Sequence, residues 1–177
     1  YFFIIDEINR GNLSKIFGEL FMLIEKDKRG SELQLLYSDE KFAVPKNVYI
    51  IGMMNTADRS LAMLDYALRR RFAFFDIKPG FDTEGFIEYK KSINNEKFDK
   101  LINCVQNLNN SILADESLGE GFCIGHSYFC NLKQEDVNEQ WLYGIVEYEL
   151  IPLLKEYWFD ESGKVHDWSE RLRSAIR

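Results

Sequence analysis

Apolar residues in the first part of the chain form short uninterrupted runs separated by helically spaced stripes. Two runs, at residues 1–5 and 48–52, have the length and continuity of strands buried on both faces of a parallel sheet, and residues 71–77 are predicted to form a third strand. Between them, apolar residues recur every three or four positions over residues 13–25 and 60–68, which predicts two helices. This strand–helix–strand–helix–strand order is typical of an α/β fold with a parallel sheet.

Two further patterns complete the chain. Residues 31–44 alternate loosely between apolar and polar side chains, which predicts a β-hairpin. After the Pro79-Gly80 step only helical spacing remains, so we expect an all-helical second domain. Asp82 is predicted to cap its first helix. Further helices are predicted over residues 98–113, 141–157 and 168–176, and Pro152 should kink or end the second of these.

Composition and charge agree with two domains. The 177 residues are 46% apolar and 15% aromatic, which excludes a disordered chain, and no apolar run approaches the roughly 20 residues that cross a bilayer. Residues 1–81 carry 12 Lys and Arg against 11 Asp and Glu, whereas residues 82–177 carry 10 against 18. We therefore expect domains at 1–81 and 82–177, and the acidic second domain is a poor match for a phosphate backbone.

The cysteines and the start of the chain bear on its context. Three cysteines without a CxxC pair favour reduced thiols in a cytoplasmic protein over a disulfide framework or a zinc ribbon. The chain opens on an apolar run with neither Met nor a leader. Leaving such a run in water is costly, so we expect the chain to be a piece of a longer protein.

Polar side chains that suit nucleotide chemistry follow the first two predicted strands. Asp6 and Glu7 come directly after the first, and Asn55 follows the second. Ligands of open parallel sheets bind at the carboxyl ends of the strands. One carboxylate would hold a hydrated Mg²⁺, the other would polarise the attacking water, and the amide would orient that water or contact the γ-phosphate. Acidic residues solvated at a strand end are the alternative.

Three consecutive arginines, Arg69, Arg70 and Arg71, lie between the second predicted helix and the third predicted strand. A solvated helix end, which the helix dipole favours, would account for them. Alternatively, guanidinium groups at this position would enter the site of a neighbouring subunit and neutralise charge in the transition state, as an arginine finger does.

Five segments together carry a family resemblance. FIIDEINRGN at residues 3–12, MNTADRS at 54–60 and ALRRRF at 67–72 occur in a specific order, followed by GFCIGHSYF at 121–129 and LIPLLKEY at 150–157. They resemble the McrB family, the AAA+ GTPases of modification-dependent (5-methylcytosine-specific) restriction systems. The resemblance implies the C-terminal half of an AAA+ P-loop NTPase core, a parallel sheet with helices and a β-hairpin insertion, followed by an all-helical lid domain.

The resemblance also implies roles for individual residues. Asp6 and Glu7 match the Walker B pair, so Asp6 would coordinate Mg²⁺ through water and Glu7 would activate the attacking water. Asn55 matches sensor 1 and would be catalytic. The other implied roles are nucleotide binding by Asp58 and Arg59, catalysis in trans by Arg70 and Arg71, and a nucleotide-facing position on the lid for His126, with Asp65 expected to support the arginines. A structural hydrogen bond is the alternative for His126.

The sequence has no GxxxxGK[ST] phosphate loop. We expect that loop upstream in a longer protein, and we expect the chain by itself to be inactive as a nucleoside triphosphatase. The substrate GTP, or ATP, and the cofactor Mg²⁺ follow from the resemblance.

The resemblance extends to partners. It implies a homo-oligomeric, hexameric ring that powers DNA translocation for a McrC-like endonuclease subunit, with DNA bound through the complete complex and no membrane partner. Two alternatives remain open, a non-catalytic AAA+ assembly module and a MoxR-type AAA+ chaperone ATPase. The missing phosphate loop favours the first, which leaves the carboxylates, Asn55 and the arginines unexplained. The MNTADR segment and the arginine triplet argue against the second.

Overall fold

The computed structural model describes residues 1–55 and 69–177 of the chain. The chain divides into two units, Tyr1–Asp76 and Ile77–Arg177. In the described parts, no helix combines the length and apolarity needed to cross a bilayer. The predicted helix over residues 60–68 lies outside the described residues.

Two of the predicted strands pair side by side in the first unit. The prediction that they are buried on both faces is wrong, since Phe2, Phe3 and Ile4 in the first of them are 72%, 52% and 58% exposed. β1 (Phe2–Ile5) and β4 (Tyr49–Gly52) run parallel, in a register that places Ile5, the last residue of β1, opposite Gly52, the last residue of β4. The alternating segment between them forms the predicted hairpin, whose short antiparallel strands are β2 (Leu33–Gln34) and β3 (Lys41–Phe42).

A helical segment follows β1. The α-helix Leu13–Phe17 begins after Asn12, whose side-chain oxygen accepts a hydrogen bond from the backbone N–H of Lys15 at 3.0 Å. The chain then tightens into a 3₁₀ helix over Gly18–Ile24. Gly18 has φ +48°, a left-handed conformation that interrupts the α-helical ladder. The prediction of a helical segment over residues 13–25 is therefore confirmed, but the segment is an α-helix followed by a 3₁₀ helix and not one continuous α-helix.

The prediction of a third strand over residues 71–77 is wrong. In the described residues β1 pairs only with β4, and no strand forms after the arginines. Phe75 and Ile77 are 87% and 86% exposed. An apolar run supplies β propensity, but a strand forms only where a neighbouring strand exchanges backbone hydrogen bonds with it.

The second unit is helical, as predicted. Its α-helices in the described residues are Glu84–Ile93, Glu96–Leu113, Glu139–Gly144, Ile151–Tyr157 and Ser162–Ala175, with 3₁₀ turns at Glu120–Phe122, His126–Phe129 and Gln134–Asp136. The core of the unit is built around the longest of these helices. Its predicted inward side chains are at most 1% exposed; they are Leu101, Ile102, Val105, Leu108 and Ile112.

Two local predictions in this unit need correction. The first helix is capped by Thr83, whose hydroxyl accepts from the backbone N–H of Phe86 at 3.3 Å, whereas Asp82 accepts from the Gln106 side chain. Pro152 does not end its helix. It lies at the start of the α-helix Ile151–Tyr157, which directly follows a wider π-helical turn over Ile145–Leu150. Pro lacks an N–H and crowds the preceding turn, and a π turn accommodates both effects.

Asp115 joins the end of the Glu96–Leu113 helix to the C-terminal part of the second unit. Its side chain is 7% exposed and accepts hydrogen bonds from Trp158 Nε1 at 2.8 Å and from Ser117 Oγ at 2.6 Å. Lys164 Nζ forms an ion pair with the same carboxylate. Lys164 foremost, followed by the Ser117 and Trp158 donors, holds the pKa of Asp115 well below its usual range.

We expect Asp115→Asn to destabilise the chain by about 2 kcal/mol, because the amide loses the ion pair and its charge-assisted hydrogen bonds. The folded pKa lies below the unfolded one, so this stabilisation is complete above about pH 4 and is lost as the pH falls further. Thermal unfolding from about pH 7 to about pH 3 should show a smaller acid loss in the variant than in the wild type. The exposed Asp167, replaced by Asn, is the control and should change stability by less than about 0.5 kcal/mol. Equal acid sensitivity of wild type and Asp115→Asn would contradict this assignment.

Candidate functional site

The parallel register of β1 and β4 brings the predicted acidic pair and the predicted amide to one edge of the sheet. Asp6 and Glu7 leave β1 where Asn55 and its neighbours leave β4. Backbone hydrogen bonds continue the pairing past both strand ends, from Met53 N to Ile5 O at 2.9 Å and from Ile8 N to Met53 O at 2.8 Å. The structure therefore joins three residues that are separated by almost fifty positions in sequence.

Close packing fixes the chain beneath this edge. Ile8 is buried and contacts a small apolar group formed by Ile5, Phe17, Phe21, Met54 and Phe72. A Cβ atom at Gly52 would lie 2.5 Å from Ile8 Cδ1, so any other residue at the last position of β4 would require the Ile8 side chain to shift. Asn9 donates a hydrogen bond from its side chain to the backbone carbonyl of Asn55 at 3.4 Å. These contacts hold the two loops at the strand ends together.

Glu7 has an uncommon backbone conformation. Its φ is +48°, in the left-handed region that side chains other than glycine seldom adopt. Its N–H donates to Asp6 Oδ1 at 2.9 Å, and its carboxylate forms an ion pair with Arg10. Strained backbone of this kind persists where the surrounding contacts impose it, and it concentrates at functional sites. The acidic pair therefore points its two carboxylates differently, with Glu7 turned toward Arg10.

The donor set at this edge suits magnesium. The side chains of Asp6, Glu7 and Asn55 offer carboxylate and amide oxygens, which are the hard ligands that Mg²⁺ takes, and no thiol or imidazole lies among these three residues. Both acidic residues are exposed, which leaves room for the waters that Mg²⁺ keeps. The residues present therefore fit a hydrated magnesium ion held through Asp6.

The arginine triplet divides into differently placed side chains. The Arg71 side chain is 8% exposed; its Nη2 lies 2.5 Å from Glu25 Oε1 and its guanidinium lies over the Phe21 ring at 4.3 Å. The Arg70 side chain is 64% exposed and its Nη2 lies 3.9 Å from the same Glu25 oxygen. The guanidinium of Arg69 lies over the Phe74 ring at 5.6 Å. Arg70 is therefore accessible to a neighbouring molecule, whereas Arg71 is bound within its own unit.

His126 lies in the second unit and has structural contacts there. Its Nδ1 accepts a hydrogen bond from Gly80 N at 2.9 Å, and its ring packs edge-on against Phe81 and Phe86. A Cβ at Gly80 would lie 3.2 Å from the ring. These contacts fit the structural alternative for His126, and its role at a nucleotide stays a prediction.

Two thiols lie close to His126 in sequence. Burial raises the pKa of the Cys123 and Cys130 thiols, which disfavours their reactive thiolate forms.

Some predicted site residues lie outside the described residues, namely Asp58, Arg59 and Asp65. Conversely, sequence reasoning missed two described residues near the site. Asn9 lies within the DEINR segment and contacts the Asn55 loop, and Glu25 contacts two arginines. Asn9 could have been found from its place in the motif, but no sequence pattern connects Glu25 with arginines more than forty residues later.

Comparisons with known proteins agree with this division into an α/β part and a helical part. The family model described as the AAA domain (dynein-related subfamily) matches residues 1–72. The family model described as the McrB alpha-helical lid domain matches residues 100–166.

Two curated relatives come from restriction systems. The chain is similar to the Type IV methyl-directed restriction enzyme EcoKMcrB subunit of Escherichia coli (strain K12), with 51% identity over 182 residues that cover 97% of this chain and 40% of that protein. It is also similar to the Type II restriction enzyme BsuMI component YdiS of Bacillus subtilis (strain 168), with 33% identity over 88 residues that cover 42% of this chain and 26% of that protein. The chain thus spans less than half the length of either relative.

The two family matches follow each other along the chain in the same order as the two structural parts. The first includes the strand edge with Asp6, Glu7 and Asn55 and ends just after the arginines, and the second covers most of the helices of the second unit. Together with the identity to the E. coli protein, they confirm the resemblance seen in the sequence motifs. The chain is McrB-like: residues 1–72 match an AAA domain and residues 100–166 match a McrB α-helical lid.

Proposed function

We propose that this chain supplies the water-activating part of a nucleoside triphosphatase that uses GTP. The observation that carries the proposal is the register of β1 and β4, which brings Asp6, Glu7 and Asn55 to one sheet edge. In this assignment Asp6 holds hydrated Mg²⁺, Glu7 polarises the attacking water, and Asn55 orients that water or contacts the γ-phosphate. When bound, Mg²⁺ would neutralise charge on the phosphates.

The arginines complete the proposed site from a second subunit. Phosphoryl transfer builds charge on the transferred group, and a guanidinium that enters from outside stabilises that charge. Arg70 is accessible for this role, since most of its side chain is exposed. The resemblance gives Arg70 and Arg71 the same trans-acting role, but the contacts of Arg71 with Glu25 and Phe21 favour a supporting role for it.

We also propose a biological setting. Both curated relatives are components of restriction enzymes, and the E. coli one is a subunit of a methyl-directed enzyme. By analogy, the full-length protein would form a ring, hydrolyse GTP and power DNA translocation for a McrC-like endonuclease partner. GTP is preferred over ATP in this proposal on the family relationship alone.

Mixing two inactive variants tests the proposal. In the full-length protein, Glu7→Gln disables the water-activating side of an interface and Arg70→Ala disables the opposite side. A mixture of the two contains interfaces in which an intact Glu7 faces an intact Arg70, so we expect GTP hydrolysis to reappear on mixing. The measurement is phosphate release at constant total protein, with each variant alone as the control.

The result also separates the alternatives. A mixture no more active than its components would place Glu7 and Arg70 on the same side of the interface and overturn the arrangement. A wild-type protein that assembles without hydrolysing GTP or ATP would support a non-catalytic assembly module. Hydrolysis of ATP but not of GTP would favour the MoxR-type alternative, although the McrB lid match speaks against it.

A further inference from the structure

One carboxylate in the first unit connects the two arginines of differing exposure. Glu25 Oε1 lies 2.5 Å from Arg71 Nη2 and 3.9 Å from Arg70 Nη2. Beneath it, the Phe21 ring faces the Arg71 guanidinium at 4.3 Å. Arg71 is therefore in contact with both Glu25 and Phe21, whereas most of the Arg70 side chain is exposed.

Glu25 is attached to a fixed part of the first unit. The two residues before it, Leu23 and Ile24, are buried. Arg29 donates hydrogen bonds to the backbone carbonyls of Ile24 at 3.0 Å and Val48 at 2.9 Å, which fasten this segment to the start of β4. The backbone at Glu25 is thus held by these buried neighbours and by the hydrogen bonds of Arg29.

The charges explain why a carboxylate is needed here. Two adjacent guanidinium groups repel each other, and a buried cation without a partner is costly. Glu25 neutralises one of the two charges and holds Arg71 in the interior. Because the backbone of Arg71 is then fixed, the adjacent Arg70 projects from a defined point while its side chain remains accessible.

We propose that Glu25 is a positioning residue, which orients Arg70 for transition-state stabilisation in a neighbouring subunit by holding Arg71 in place. The proposal rests on the trans-acting role given above to Arg70. Glu25 touches neither substrate nor cofactor in this scheme. Its effect should therefore appear in the catalytic step and should depend on the presence of Arg70.

The test is Glu25→Gln in the full-length protein. The amide keeps the shape and loses the charge, so we expect kcat for GTP hydrolysis to fall about 10-fold while KM stays unchanged, because the arginine acts in the transition state. Glu25→Asp retains the charge and should recover most of the activity. Glu32→Gln is the matched control, since Glu32 is exposed, forms an ion pair with Lys41 in the hairpin and should not affect kcat.

Two readouts distinguish positioning from a general structural role. Glu25→Gln should cause no further loss when Arg70 is already Ala, whereas a structural defect would lower the residual rate again. A mixture of Glu25→Gln and Glu7→Gln proteins should hydrolyse GTP faster than either variant alone but more slowly than the wild type. Phe21→Leu removes the ring that faces Arg71 and should lower kcat when Arg70 is present but not when Arg70 is already Ala, which keeps the test decisive if Glu25→Gln does not fold.

Failure of this inference differs from failure of the proposed function. If Arg70→Ala lowers the rate strongly and Glu25→Gln behaves like wild type, the positioning role is wrong and the arginine finger stands. If the rate falls equally in the presence and absence of Arg70, Glu25 is a structural residue only. If Arg70→Ala has no effect, the trans-acting site itself is wrong, and the positioning role with it.

Discussion

Glu7→Gln is expected to lower GTP hydrolysis by the full-length protein about 10³-fold, the scale of losing a positioned general base. The substitution removes the carboxylate that would polarise the attacking water and keeps the size of the side chain. Nucleotide binding should remain, because phosphate contacts come from other groups. Steady-state phosphate release gives the rate, and titration with a fluorescent GTP analogue gives the affinity.

A surface glutamate in the same unit provides the control for this substitution. Glu32 is exposed and forms an ion pair with Lys41 in the hairpin, so Glu32→Gln should leave hydrolysis unchanged. Glu7 has a φ of +48°, and Gln must adopt the same backbone conformation at this position. We therefore expect Glu7→Gln to be as stable as the wild type, which thermal unfolding checks. A Glu7→Gln protein that binds GTP and hydrolyses it at the wild-type rate would remove Glu7 from the mechanism.

Arg70→Ala is expected to lower GTP hydrolysis about 10³-fold as well, because arginine fingers contribute on this scale to phosphoryl transfer. The loss should lie in kcat and not in the stability of the subunit. Arg70 is largely exposed and its Nη2 lies 3.9 Å from the Glu25 carboxylate, so little folding energy depends on it. Rate measurements at saturating GTP and a thermal unfolding curve test both parts.

Another exposed arginine serves as the matched control. Arg171 lies in the C-terminal helix of the second unit with its guanidinium over the Trp168 ring, outside the proposed site. Arg171→Ala should leave kcat near the wild-type value. Hydrolysis that survives Arg70→Ala undiminished would show that no guanidinium at this position acts in trans.

The strand edge illustrates what could be predicted before the fold was known. A continuous apolar run followed by polar residues predicts a parallel strand and its polar carboxyl end, and this pattern placed Asp6, Glu7 and Asn55 at one edge, although the strands are largely exposed and not buried as predicted. The same reasoning failed for residues 71–77. Their apolar character is evident from sequence, but strand formation depends on a partner that no local pattern specifies.

The arginines show a second limit. Three identical residues in a row carry the same charge and the same propensity, so the sequence does not distinguish their roles. The fold does, because Arg71 meets Glu25 and Phe21 while Arg70 meets mainly solvent. Glu25 was invisible to motif analysis for the same reason, since its importance comes from a contact across more than forty residues.

Sequence alone thus predicted two of the parallel strands, the hairpin between them, the helical nature of the second unit and the carboxylates and amide at the strand ends. These features follow from local periodicity and from residue chemistry, both of which are written along the chain. Only the tertiary structure decided the register of β1 with β4, the left-handed turn at Glu7, the pairing of Glu25 with the arginines and the polar contacts of Asp115. Each of these depends on groups brought together from distant positions, and long-range packing, not local propensity, selects which of them meet.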